Sequence, residues 1–152
     1  MNVKFLKSGE KKKLFSELDE KFGIDKVNYL LFETGKDKIR GYSGHLTREE
    51  IMELGEIANV EIIGMYLFKK EVWGVRLSHD AVHAFSDKIK KGIFSIGKED
   101  FDKWIRGNDI DVKCEKGAVI LKYGEDFVGC GVSNGEKIFN YVPNERRIRS
   151  RG

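Results

Sequence analysis

Apolar positions recur along the first half of the chain at two different periods. Leu14, Phe15, Leu18 and Phe22 fall at i, i+1, i+4 and i+8, one face of a helix, with Ser8 placed to cap it and Gly23 just beyond its end. VNYLLFE and DKIRGY then read as strands of a hairpin across the turn TGKD. Thr47-x-x-Glu50 is a capping box, with Leu46 and Ile51 placed as a hydrophobic staple, and predicts a helix to about Ala58. NVEIIGMYLFKKEVWGVRLS supplies two more strands, broken around Lys69, Lys70 and Glu71. In the second of them Trp73, Val75 and Leu77 form the apolar face expected to meet the core, and Val72, Gly74 and Arg76 the other. Ser78 opens a helix to about Ile89, with Ala81, Phe85 and Ile89 spaced four apart.

The second half is punctuated more tightly. KKGIFSIG is a strand, and Phe101, Trp104 and Ile105 give one apolar face to a short helix that stops at Gly107. Between 116 and 142 the runs AVILKY, FVGCGV and EKIFNY alternate with the glycine-bearing turns YGED and SNGE. Strands this closely spaced describe a small antiparallel barrel or sandwich rather than a parallel sheet. The expected fold class is α+β. A small N-terminal α/β domain (1–78, order αββαββ) precedes a connecting helix (79–90) and a β-barrel domain (91–152). No proline- or serine-rich linker separates them, so packed domains are expected.

Composition narrows the class. At 152 residues, 40% of them apolar, the chain can build a real core as one domain or two small ones. No apolar run approaches the ~18 residues of a membrane span, and MNVKFLKSGEKKKLF lacks a secretory apolar region; a cytoplasmic protein with no membrane partner is expected. Cys114 and Cys130 show no CxxC spacing and read as reduced thiols. The formal net charge is only +3, but residues 137–152 carry five basic residues against Glu145 alone. The excess is local.

Candidate chemistry is sparse. His79 and His83 share a helical face, yet Asp80 stands where a zinc protease motif needs glutamate, so no metal site is expected. GEDFVGCGVSNG contains neither dinucleotide nor P-loop spacing, and its glycines are read as turn and bulge makers; no cofactor is expected. Asp100, Asp102, Asp109 and Asp111 occupy capping or turn contexts, and no nucleophile elbow is legible, so the protein is not expected to be an enzyme. Lys11, Lys12 and Lys13 read as a solvated helix face. The basic residues that stand out are Lys103 and Arg106 on the short helix, and Arg146, Arg147, Arg149 and Arg151 near the end of the sequence. If the Gly107-Asn108 turn faces those arginines, backbone N–H groups and guanidinium forks would clasp a phosphate backbone.

These stretches carry a resemblance. FDKWIRGNDI, a helix ending in glycine, followed by KGAVILKYGEDFVGCGVSNGEKI, with its strand, glycine turn and G-x-G step, resembles a PUA domain from about Lys91 to Arg149. The architecture is similar to the compact two-domain PUA proteins of ribosome biogenesis, although the acidic opening typical of that group is missing. It is also similar to the C-terminal RNA-binding region of Sun-family rRNA cytosine methyltransferases. The resemblance implies a PUA-like β-barrel and RNA contacts at Arg106, Gly107, Asn108, Arg146, Arg147 and Arg149, beside the basic Lys103 and Arg151. The implied function is non-catalytic binding of structured rRNA or tRNA, in ribosome biogenesis, rRNA processing or RNA modification. The alternatives are an accessory subunit of an RNA-modifying enzyme such as a methyltransferase, or a protein-interaction adaptor.

Overall fold

A computed structural model describes residues 3–57 and 64–148. The first sheet has five strands in the order of the chain, every neighbouring pair antiparallel. They are β1 (Val3–Phe5), β2 (Leu30–Thr34), β3 (Lys38–Tyr42), β4 (Met65–Glu71) and β5 (Gly74–Leu77). Helix α1 (Ser8–Phe22) joins β1 to β2, and α2 (Arg48–Ile57) follows β3. Successive side chains of a strand face opposite ways. Leu31 accordingly joins the core under α1, while Phe32 packs with Val3 and Ile51 under α2.

Several expectations hold here and several fail. Both arms of the Thr47/Glu50 capping box form at 3.1 Å, and Leu46 packs in the cluster that holds Ile51. Gly23 closes α1 by donating to the Asp19 carbonyl. The α1 cap is Lys7 rather than Ser8, because the Glu10 carboxylate three residues on accepts the Lys7 N–H at 3.1 Å. Strand β1 was missed; at three residues it is too short to show alternation, and it exists through its pairing with β2. The hairpin break lies at Val72-Trp73 rather than Lys69–Glu71, because the ladder to β5 continues through Lys69, Lys70 and Glu71. Trp73 is therefore 43% exposed at the hairpin tip, while Val75 and Leu77 are buried as expected. Ala58 and the run 59–63 lie outside the described residues.

Helix α3 (His79–Ala84) is capped by Ser78 Oγ, which accepts the Ala81 N–H at 3.0 Å. It stops short of Ile89. Turns in which Lys88 and Ile89 donate to the Phe85 carbonyl still fold Phe85 and Ile89 into the core.

The second sheet has four strands, β6 (Ile93–Ser95), β7 (Gly117–Tyr123), β8 (Asp126–Ser133) and β9 (Ile138–Phe139), in that order. Helix α4 (Lys98–Ile105) lies between β6 and β7. β7, β8 and β9 pair antiparallel, as expected of 116–142, while β6 pairs parallel to β7 because the long crossover from Ile96 to Lys116 returns the chain in the same direction. Among the described residues no strand pairing closes this sheet into a ring; α4 and the segment after it cover its outer face.

Both faces of the second sheet are buried. Ile120 and Cys130 join Leu18, Phe22, Phe68, Leu77 and Phe85 in the main core, while Val119 and Leu121 pack with Trp104, Ile110 and Val142 on the other side. Among the described residues no helix is long and apolar enough to cross a membrane.

Candidate nucleic-acid interface

Trp104 fixes the position of the α4 end. Its ring is fully buried, and its Nε1–H donates to the Val128 carbonyl at 2.9 Å. The ring lies against the G-x-G step of β8. A Cβ on Gly129 would stand 3.1 Å from Trp104 Nε1, and one on Gly131 would stand 2.4 Å from Ile138 Cγ2 and 2.9 Å from Trp104 Cη2. Gly129 (φ 145°) also sits at a register shift of β8 against β7, so the bulge role expected of these glycines applies to it. Gly131 is a packing glycine. Cys130 between them points into the main core, where burial pushes its thiol up to about 11. Cys130 and Cys114 are both free.

From this anchor the chain turns sharply. Gly107, at φ 92°, donates its N–H to the Trp104 carbonyl at 3.0 Å, and the Asn108 N–H reaches the Lys103 carbonyl at 3.0 Å. Asn140 then clips the turn to the end of β9. Its Nδ2 donates to the carbonyls of Trp104 (2.8 Å) and Asn108 (3.0 Å), and its own N–H is accepted by Asp109 Oδ1 at 2.8 Å. Ile148 N–H closes the far side on the Ile105 carbonyl at 2.7 Å. Arg147 donates Nε–H to the Val142 carbonyl at 2.9 Å and lies across Gly107, where a Cβ would come within 2.5 Å of its Cδ and Nε.

The helix-end turn and the arginine segment therefore meet, as the sequence suggested. The manner of meeting differs. The two turn amides are spent inside the helix end, which is also the negative end of the α4 dipole, so attraction for an anion rests on the side chains. Arg106 is exposed, and Lys103 is exposed with Glu99 at 3.9 Å. Arg146 reaches back to Asp80 of α3 at 3.2 Å, both side chains about half exposed. Arg147 is half-buried, and Asn108 is exposed. Arg149 and Arg151 lie outside the described residues.

Three residues near this ridge were missed from the sequence. In IFNYV, Ile138 and Val142 are buried and Asn140 turns inward to its clip, which leaves Phe139 (37% exposed) and Tyr141 (45%) facing out. The guanidinium of Arg76, from β5, lies 4.1 Å from the Tyr141 ring centroid and is held by Glu71 at 3.2 Å. The period-2 alternation of 138–142 was a legible signal for the two aromatics; the approach of Arg76 was not.

His79 and His83 face each other with Nε2 atoms 3.3 Å apart, and among the described residues no group of three or more candidate ligands could hold a metal ion. Burial first, then the neighbouring His83 and the Arg146 guanidinium, hold His79 below its ordinary value of 6.5 against the opposing Asp80.

No curated protein matches the chain. Residues 91–148, from just before β6 to the segment that crosses Gly107, match the family model of the methyltransferase RsmF PUA domain. Residues 91–148 are thus similar to a PUA domain, that of the C-terminal region of the Sun-family methyltransferases, and RNA binding is what such a domain implies.

Proposed function

We propose that this chain is a non-catalytic RNA-binding protein of the cytoplasm, acting on structured rRNA or tRNA during ribosome biogenesis, rRNA processing or RNA modification. The observation that carries the reading is the family match over 91–148, which takes in both segments that meet at Gly107 and Arg147. Lys103, Arg106, Arg146, Arg149 and Arg151 would supply phosphate contacts, and Gly107, Asn108 and Arg147 the ridge that carries them. Those contacts give affinity without sequence information. Selectivity would come from the shape of the A-form minor groove and its 2′-hydroxyls, because the deep groove of RNA is closed to side chains. Trp104 and the Asn140 clip suit this role by holding the ridge rigid before RNA arrives. Anisotropy titrations with an RNA hairpin and a DNA hairpin of the same sequence test it. Tighter binding of the RNA is expected; equal weak binding of both would defeat the reading.

A second reading has its own support. The matched domain is that of a methyltransferase, and the first 90 residues lie outside the match, available to dock a catalytic partner. An accessory subunit of that kind transfers no methyl group alone and co-purifies with an RNA methyltransferase.

A further inference from the structure

We propose that Tyr141 and Phe139 form a stacking platform for unpaired bases, set beside the phosphate-binding ridge and braced by Arg76. The proposal rests on the RNA-binding reading and narrows its substrate to a structured RNA with a single-stranded extension or a splayed nucleotide. Three observations carry it. First, Phe139 and Tyr141 alternate with the buried Ile138 and Val142 and the inward Asn140, so two aromatic side chains face out of one short segment. Exposed aromatic rings are a means by which proteins hold unstacked bases. Second, Tyr141 is pre-set. The Arg76 guanidinium lies over the ring, 4.1 Å from its centroid, while the residue stays 45% exposed and so leaves surface open to a base. Arg76 is itself only 14% exposed and is oriented by Glu71, so its place in the stack is fixed before binding. Third, the platform shares its segment with the ridge: Asn140, between the two aromatics, holds the 106–109 turn, and Arg146 follows shortly after.

Arg76 lies in β5, outside residues 91–148, so the platform joins the two sheets. The first half of the chain then takes part in RNA recognition through Arg76 rather than serving only as a support.

Two RNAs separate this proposal from the reading beneath it: a blunt hairpin, and the same hairpin with a short unpaired 3′ extension. The full chain is titrated with each by anisotropy, as wild type, Tyr141→Ala, Phe139→Ala and Tyr141→Phe, with thermal unfolding confirming that each variant is folded. Wild type is expected to prefer the extended RNA by about tenfold or more, as base–aromatic stacking allows. Tyr141→Ala and Phe139→Ala each remove most of that preference and leave blunt-hairpin affinity within about twofold. Tyr141→Phe, which keeps the ring, retains it. A preference undiminished in both alanine variants, or absent in wild type, overturns the platform even if the hairpin binds. A chain that binds neither RNA overturns the RNA reading itself. Loss of a co-purifying protein in Tyr141→Ala, with RNA affinities unchanged, assigns the surface to a protein and equally overturns the platform.

Discussion

Gly107 and Arg147 are shaped to each other. Gly107 holds a left-handed turn that L side chains rarely adopt, and the space its missing Cβ leaves is filled by the Arg147 side chain. Gly107→Ala must strain the turn and push Arg147 aside, and is expected to cost on the order of 1–3 kcal/mol in urea unfolding. Gly9→Ala, in α1 with open space around it, is expected to be neutral or to stabilise by about 0.4–1 kcal/mol. Equal effects of the two would contradict the contact. At this scale legibility followed distance along the chain. Gly107 could be recognised because the helix it ends is adjacent to it. Gly131 could not, because what excludes a Cβ there is the Trp104 ring, delivered from another element.

Among the elements, α3 joins structure to the interface. It carries Asp80, which receives Arg146, and His79, whose imidazole is half-buried beside both His83 and Arg146. With its folded value below 6.5, His79 stays neutral in the fold while the unfolded chain takes up the proton. The associated stability is whole above about pH 6.5 and is lost as pH falls through the lowered folded value. Unfolding midpoints followed from about pH 8 to about pH 5 should show that loss in wild type and a flatter profile in His79→Asn. Parallel profiles would rule out His79 as the cause. Elements whose signals are local were readable: the Thr47/Glu50 box, the Ser78 cap and the α4 stop. Those fixed by pairing were not, as β1 and the extension of β4 through Glu71 show, and Trp73 was misassigned to the core because the hairpin turn was placed too early.

For the whole molecule, the two sheets share a core. Ile120 and Cys130 are buried among side chains of α1, β4, β5 and the α3 region, so the second sheet alone would expose an apolar face. A fragment of residues 91–152 is therefore expected to lose cooperative unfolding, or to bind a hydrophobic dye, where the full chain does neither; a fragment as cooperative as the whole would show an independent domain. The α+β class and the meeting of the 106–108 turn with the arginine segment could be read from patterning and turn chemistry. Packed halves were expected from the missing linker, but which face of β7 and β8 turns toward α3 was not legible. The platform at Tyr141 was half visible, in its alternation but not in its Arg76 brace.

The central claim is that this ridge binds RNA through exposed cations. Its most direct test is the affinity for a structured RNA hairpin measured from about 50 to about 200 mM salt. The full chain is compared with Arg106→Ala and Arg146→Ala, two exposed arginines whose removal leaves the Asn140 clip and the Arg147–Gly107 contact intact. Affinity is expected to fall steeply with salt, and each substitution to weaken binding and reduce the slope of log K against log salt by about 1. Affinity indifferent to salt, or wild-type slopes in both variants, would contradict it.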